Sequence, residues 1–339
     1  MDIKDLVIHP KILTFVTTFQ CTAACKNCCF GCNPTLKQRL TYEQMKHYTD
    51  EAVKYYGKSL KILVLTGGEC FLLKEDLNKI IKYANSKGLL TRVVTNGYWA
   101  KTYNDAYNTL KNLRDCGLNE INFSTGDDHQ EWISYDNIVN GCMASMDLGL
   151  TCLINVETHD ASKFSGITFR QDYRLTTYFD ITKYKHPLKI EQGVWIPFDT
   201  KTSVSYEKFQ NKEDINNRCS SLFNTIPINP YSNVFSCCGL PSEHIRPLRL
   251  GNLENKNIQE LYESQFKDLL KIWIFLDGPY KVLKFIHNKR GIQKNVFGHI
   301  CSVCAEIFKD SENIQWIKDH YNEIMPSIMF KYVMLKRTF

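Results

Sequence analysis

Short apolar runs alternate with amphipathic stretches along the first 200 residues. Strand-like runs, rich in apolar and β-branched residues, occupy residues 12–18, 61–65, 90–95, 120–124, 151–157 and 189–196. Stretches with helical spacing lie between them, at 41–56, 74–86, 103–116, 135–148 and, more weakly, 162–178. Thr41 and Ser134 stand where N-caps are expected. Six strands with intervening helices predict parallel βαβ units and an α/β fold.

The pattern changes near residue 200. Residues 200–255 are rich in Asn, Pro and Ser, and they contain only short strand candidates at 226–228 and 233–235. Residues 256–290 and 312–336 have helical spacing again. We therefore predict two domains, a larger one in 1–200 and a smaller one in 201–339.

Composition narrows the class of protein. Hydrophobic residues make up 43% and charged residues 23% of 339, enough for a packed core. The net charge of +6 is spread along the chain, without the basic run of a nucleic-acid-binding arm. The N-terminus lacks a secretory signal and no apolar run reaches 18 residues, so we expect a cytoplasmic protein without a membrane partner. In that reducing compartment, the 14 cysteines are not expected to form a disulfide framework.

A cysteine motif, Cys21-x3-Cys25-x2-Cys28, follows the first predicted strand. One tight loop can direct three such thiolates toward one point. A cubane iron–sulfur cluster needs four ligands to be closed, so three leave one iron open to another ligand. The alternative is a structural zinc site, with Cys29 or Cys32 as the fourth ligand.

Two further motifs follow the next predicted strands. Gly67-Gly68-Glu69 comes after the second strand, and Thr95-Asn96-Gly97 after the third. Ligands of parallel α/β folds bind at these carboxyl ends. Adjacent glycines let the backbone approach a ligand closely. The position of these turns next to the cysteine loop predicts one shared site.

Together these elements resemble the radical S-adenosylmethionine (SAM) enzymes. The resemblance implies a partial (βα)6 barrel and a [4Fe-4S] cluster held by Cys21, Cys25 and Cys28. Reduction of SAM at the open iron would give a 5′-deoxyadenosyl radical, with the electron supplied by a donor such as flavodoxin or ferredoxin. The SAM contacts implied are Gly67, Gly68, Glu69, Asn96, Ser124, Asn155 or Glu157, and Ile196. Asn27 and Cys70 stand where the family often has an aromatic residue and a proline.

A second cysteine group lies in the C-terminal third of the chain, at Cys219, Cys237, Cys238, Cys301 and Cys304. Its order resembles the SPASM and shorter twitch extensions of peptide-modifying radical SAM enzymes, in which a β-hairpin and a helix enclose an auxiliary cluster. The resemblance implies one auxiliary [4Fe-4S] cluster, with Cys219, Cys237, Cys301 and Cys304 as ligands. That implied set leaves Cys238 unused, and because adjacent residues on a strand point in opposite directions, the two rarely bind one cluster together. Which of the two adjacent cysteines is the ligand stays open at this point.

The most similar group is the epipeptide-type radical SAM peptide epimerases. Shared features are Cys28-Cys29-Phe30, residues 95–99, Ser124 with a following acidic residue and His129, Cys237-Cys238, and Cys301-x2-Cys304. The resemblance implies abstraction of a Cα hydrogen from a ribosomally made precursor peptide and L-to-D epimerisation, with the Cys238 thiol returning hydrogen. The alternatives are a buried structural Cys238, a maturase that forms a thioether or C–C cross-link, and a non-catalytic four-cysteine metal protein that binds a partner.

Overall fold

The predicted parallel strands form the centre of the molecule. The computed structural model describes residues 6–194, 215–292 and 297–336. Six strands pair in parallel in the order β6-β5-β4-β3-β2-β1. Their bounds are β1 Ile12–Val16, β2 Ile62–Thr66, β3 Leu90–Thr95, β4 Glu120–Thr125, β5 Thr151–Thr158 and β6 Lys189–Val194. The α/β prediction is therefore confirmed, while the predicted end of the sixth strand, including Ile196, lies outside the described residues.

Helices connect these strands as the hydrophobic spacing predicted. They are α1 Tyr42–Tyr56, α2 Glu75–Ser86, α3 Tyr103–Asp115, α4 Asp127–Gln130, α5 Tyr135–Asp147 and α6 Gly166–Gln171. The predicted caps are confirmed, since Thr41 accepts from the Gln44 backbone N–H and Ser134 from that of Asp136.

The predicted helix over 162–178 is wrong in extent. The structure has only the six residues of α6 and a separate 3-10 turn at Thr176–Phe179. The Asp127 carboxylate accepts hydrogen bonds from the backbone N–H groups of Lys163 and Phe164, at 2.7 and 3.0 Å. Those donors are engaged by a side chain, so the chain is held in a loop before α6 begins.

Three further strands extend the sheet beyond β1. They are β7 Thr225–Ile228, β8 Asn233–Phe235 and β9 Arg249–Asn252. β7 pairs in parallel with β1, and β8 and β9 continue in antiparallel order. The strand β9 was missed by sequence analysis, which found strand candidates in this region only at 226–228 and 233–235. Among the described residues, the C-terminal third is thus joined to the parallel strands by one continuous sheet.

Helices complete the C-terminal third. They are α7 Ile258–Ser264, α8 Leu269–Asp277, α9 Pro279–Arg290, α10 Ile300–Lys309, α11 Ser311–Asp319 and α12 Tyr321–Lys336. Helix α10, which carries Cys301 and Cys304, was not predicted. No helix in the described ranges has the length and apolar character needed to cross a membrane.

Tyrosine hydroxyls of the C-terminal helices hold the N-terminal segment. The Tyr262 hydroxyl of α7 lies 2.8 Å from the carbonyl oxygens of both Ile8 and Phe223. The Tyr332 hydroxyl of α12 donates to the Leu6 carbonyl oxygen. Both side chains are fully buried, so residues from both ends of the chain share one core.

Candidate active site

A cavity of about 410 Å³ opens at the carboxyl ends of the parallel strands. The structure brings most of the predicted site residues to its wall. They come from the cysteine loop, the turns after β2 and β3, the ends of β4 and β5, and the segment after β8: Cys21, Cys25, Cys28, Gly67, Gly68, Asn96, Ser124, Asn155 and Cys238. Residues 217 positions apart in sequence thus share one space, as ligand sites of parallel α/β folds do.

The three cysteines of the N-terminal motif are free thiols on one loop. Burial raises the pKa of Cys21 to about 12 and raises that of Cys25 as well. The pKa of Cys28 falls to about 6, mainly through a hydrogen bond with the Cys32 side chain and also through backbone N–H donors. The donor set fits an iron–sulfur cluster, whose irons are held by Cys thiolates.

The alternative structural zinc site stays a prediction. No three Cys, His, Asp or Glu side chains within the described residues stand close enough to hold one metal ion, and this applies to both cysteine groups as well as to a zinc site. A structural zinc needs four ligands within about 2.3 Å of the metal. Cys32 is buried in an apolar cluster with Val16, Phe19 and Ala23, and its side chain forms the hydrogen bond to Cys28.

The glycines of the second motif allow the two loops to meet. A Cβ atom on Gly68 would lie 2.2 Å from the Gln20 carbonyl oxygen, immediately before Cys21. The Gly68 N–H donates to the Thr18 carbonyl at 2.6 Å, and the Glu69 N–H to that of Gln20 at 2.9 Å. Gly67 has φ +137°, which an L side chain rarely adopts. The pair of glycines therefore fixes the turn after β2 directly against the cysteine loop.

Glu69 is fully buried behind this wall. Its carboxylate accepts from Thr95 Oγ1 at 2.9 Å, from the Asn96 N–H at 2.8 Å and from the Phe71 N–H at 3.0 Å. Burial raises its pKa to about 7. Gly67 and Gly68 line the cavity, whereas the Glu69 carboxylate joins their turn to the turn that carries Asn96. A direct contact of this carboxylate with SAM stays a prediction.

Asn96 is held at the cavity wall by the cysteine loop. Its Nδ2 donates to Thr22 Oγ1 at 3.0 Å, and its Oδ1 accepts from the Tyr98 N–H at 3.1 Å. Both groups of the amide are therefore oriented before any ligand binds.

The structure separates the two candidates for SAM contact on β5. Asn155 lines the cavity beside Ser124, with which it pairs across β4 and β5. Glu157 points instead into a buried network, where its Oε2 lies 3.0 Å from His129 Nδ1. Its other oxygen accepts from the backbone N–H groups of Asp128 and His129. Asn155 is therefore the better placed of the two for a ligand.

Asp128 is a residue that sequence analysis missed. Its Oδ2 accepts a hydrogen bond from the Asn27 N–H at 3.0 Å. This bond joins the first turn of α4 to the cysteine loop. Burial raises the pKa of this carboxyl, and the nearby Glu157 carboxylate adds to the rise. The sequence does show Asp127-Asp128 just after a predicted strand. This pattern does not indicate which loop the Asp128 carboxylate contacts.

The second cysteine group also comes together. A Cβ atom on Gly239 would lie 3.2 Å from Cys301 Sγ and 3.5 Å from Cys237 Sγ, so both sulfurs contact this residue. Burial raises the pKa of all four predicted ligand thiols, and the proximity of the others raises it further for Cys237, Cys301 and Cys304. Four free thiols from a loop, a strand end and α10 fit the donor set of one cluster.

Cys238 borders this group, because its charge contributes to the raised pKa of the Cys219, Cys237 and Cys301 thiols. It is exposed and lines the cavity, whereas the adjacent Cys237 is buried toward Cys301. Ser221 holds it, since the Cys238 N–H donates to Ser221 Oγ at 3.1 Å and the sulfur lies 3.3 Å from the same oxygen. The sequence alone left open which of the two thiols is spare, and this geometry favours Cys238.

A curated relative matches nearly the whole chain. No protein-family profile matches the chain. The chain is 22% identical over 331 residues to YydG of Bacillus subtilis (strain 168), whose name assigns it to peptide biosynthesis. The match covers 93% of this chain and 99% of YydG.

Solved structures share the fold. The structure of anSMEcpe with bound AdoMet and the Cp18Cys peptide superposes with a TM-score of 0.50, at 13% identity, over 76% of this chain and 81% of that one. That of BtrN with AdoMet and 2-DOIA has a TM-score of 0.48 at 10% identity, over 80% and 89%. At 13% identity the anSMEcpe structure shows a shared fold, and the α/β fold expected from the sequence is thereby confirmed.

Proposed function

We propose that this protein is a radical SAM enzyme that epimerises a residue of a ribosomally synthesised peptide. The observation that carries the proposal is the position of Cys238, a free thiol on the wall of the cavity that the cluster loop also lines. The similarity to YydG supports a precursor peptide as the substrate.

The cluster loop and the strand ends form the SAM side of the proposed site. Cys21, Cys25 and Cys28 would hold a [4Fe-4S] cluster, with Gly67, Gly68, Asn96, Ser124 and Asn155 around SAM. Bound SAM, reduced through that cluster by a donor such as flavodoxin or ferredoxin, supplies the 5′-deoxyadenosyl radical that removes the Cα hydrogen. The Cys219, Cys237, Cys301 and Cys304 thiols would hold an auxiliary cluster.

Cys238, on the segment after β8, would complete the reaction. Its S–H bond breaks, the hydrogen atom forms the new C–H bond at Cα, and a thiyl is left on sulfur. One electron and one proton from the external reductant then restore the thiol. The Ser221 hydroxyl orients the sulfur by its hydrogen bond. Peptide cross-linking is the less favoured alternative, because the four thiols proposed as ligands would leave no position open on an auxiliary cluster.

The test uses the short reading frames encoded beside the gene, expressed as peptides and incubated anaerobically with reconstituted protein, SAM and reductant in D2O. We expect one peptide to gain one mass unit and to yield a D-residue on chiral analysis. The variant Cys238→Ala should still cleave SAM and give no D-residue. Cys116→Ala is the matched control, because this half-buried thiol lies outside the cavity.

Other outcomes distinguish the alternatives. A loss of two hydrogens without deuterium gain indicates a cross-linking enzyme. Absence of SAM cleavage with every peptide and with reductant alone indicates a non-catalytic metal protein. Iron content provides a second readout, since Cys237→Ala should lose about four irons per chain whereas Cys238→Ala should lose none.

A further inference from the structure

Glu243 lies on the cavity wall and has no role in the reaction described above. It belongs to the 3-10 turn Ser242–His244, and it lines the cavity on the same segment as Cys238 and Leu240. The side chain is partly buried. A carboxylate that lines the same cavity as the proposed hydrogen donor is placed to contact a ligand bound there.

Asn229 orients the Glu243 carboxylate by a hydrogen bond. Its Nδ2 donates to Glu243 Oε2 at 3.0 Å. Its Oδ1 accepts from the backbone N–H groups of Tyr231 and Asn233, at 3.0 and 3.1 Å. The amide cannot rotate without breaking both of these bonds, so a donor always faces Glu243. One carboxylate oxygen is thereby occupied on the protein side.

Glu243 is partly buried, with Asn229 and the more distant charge of Arg249 acting on it. The same cavity is also lined by the apolar side chains of Pro227, Phe235 and Leu240. A peptide bond brought next to Cys238 would exchange water for these side chains. A buried N–H without an acceptor is costly, so a bound peptide needs an acceptor here. An ionised carboxylate is an acceptor only.

We propose that Glu243 accepts a hydrogen bond from a main-chain N–H of the peptide substrate and thereby fixes which residue faces Cys238. This inference rests on the proposed function and names the recognition element of that same site. The proposed hydrogen bond involves the peptide backbone and not a side chain. One enzyme could therefore position residues with different side chains next to the Cys238 thiol.

The variant Glu243→Gln tests the hydrogen-bond polarity. Because Asn229 always donates toward this position, the glutamine amide must turn its oxygen to Asn229 and its NH2 group to the cavity. An acceptor is then replaced by a donor of the same size. Burial raises the pKa of Glu243 to about 7, so binding is measured near pH 8, where the carboxylate is ionised.

The probe is a peptide selected from a displayed random library on the reconstituted protein, and retained because it slows alkylation of Cys238 by iodoacetamide. The peptide is resynthesised with an ester in place of the amide at each position in turn, which removes one N–H at a time. We expect one ester to weaken binding to the wild-type protein by roughly 10- to 100-fold.

Glu243→Gln should bind the parent peptide more weakly by a similar factor and should be insensitive to that same ester. Glu254→Gln, an exposed control outside the cavity, should behave as the wild type. If Glu243 had a purely structural role, Glu243→Gln would weaken the binding of every peptide. The ester would then weaken binding to this variant by the same factor as binding to the wild type.

Three results overturn the inference. In the first, Glu243→Gln binds the parent peptide as tightly as the wild type does. In the second, the variant binds the parent peptide weakly and the ester still weakens binding by the full factor. In the third, no selected peptide slows the alkylation of Cys238. The D2O assay is independent of this selection, so a D-residue formed there shows that the proposed function holds even when Glu243 has no such role.

Discussion

Gly68 illustrates how one residue decides whether the site exists. Its missing Cβ atom leaves room for the Gln20 carbonyl, and its N–H donates to Thr18. The turn after β2 and the cysteine loop are thereby held at backbone contact. Side-chain chemistry plays no part at this position, because the requirement is the absence of a side chain.

The variant Gly68→Ala should separate the two loops. A Cβ atom 2.2 Å from a backbone oxygen cannot be accommodated by a side-chain rotation, so we expect a loss of about 3 kcal/mol in the free energy of unfolding. The cysteine loop should also hold less iron after reconstitution. Denaturant unfolding and iron analysis measure the two effects.

Gly88→Ala is the matched control, because Gly88 has φ +76° and nothing lies within 4 Å of the position that a Cβ atom would take there. It should cost only about 1–2 kcal/mol from backbone strain and leave the iron content unchanged. Equal iron loss in both variants would contradict the close approach described for Gly68.

At the scale of elements, the short helix α4 connects strand β5 to the cysteine loop by side-chain hydrogen bonds. Asp128 at its first turn accepts from Asn27 of the cysteine loop. His129 beside it pairs with Glu157 at the end of β5, with side chains only 7% and 4% exposed. The position of the cluster loop therefore depends on a carboxylate 129 residues after Cys28.

Glu157→Leu should destabilise the protein by about 3 kcal/mol. It removes the acceptor of His129 Nδ1 and of two backbone N–H groups, all of them buried. Hydrogen exchange at the Asn27 amide should quicken, because α4 is no longer anchored to β5. Denaturant unfolding and exchange measured by NMR check the two effects.

Glu157→Gln keeps one acceptor oxygen and should cost less than Glu157→Leu. Glu131→Gln changes a half-exposed carboxylate of the same helix region, paired with Lys26 at 3.3 Å, and should cost under about 1 kcal/mol. A Glu157→Leu variant as stable as Glu131→Gln would show that the buried network does not support the loop.

At the scale of the whole molecule, the two predicted domains share one sheet. β7 pairs with β1 along Ile12–Phe15, and the Thr14 and Thr225 hydroxyls lie 3.2 Å apart between them. The His244 ring reaches the Cys29 carbonyl oxygen at 2.8 Å, so the C-terminal segment also touches the cysteine loop. The boundary near residue 200 stays a prediction that needs a direct test.

A chain ended at residue 200 should not fold on its own. Its β1 edge would lose β7, and apolar side chains of the shared core would be exposed to water. We expect aggregation, or a non-cooperative thermal transition by circular dichroism, where the full chain unfolds cooperatively. A monomeric fragment with a sharp transition would establish that residues 1–200 are an independent domain.

Much of the fold was predictable because hydrophobic periodicity is local. All six parallel strands and their main helices follow from runs of a few residues. Strand β9 was missed because its four residues are too few for periodicity to identify, whereas the amphipathic spacing of the ten residues of α10 was present in the sequence and was overlooked. The weak helix over 162–178 failed for a different reason, since Asp127 engages the backbone donors of its first part.

The sequence by itself determined the chemistry available to this protein: a loop with three cysteines, two glycine turns at strand ends and a second cysteine group. Only the tertiary structure decided how these groups are used. It placed Cys237 among buried thiols and Cys238 at the cavity, and it assigned Glu157 to His129 and Asn155 to the cavity wall. The reason is that motif spacing is local, whereas the direction of a side chain depends on partners distant in sequence.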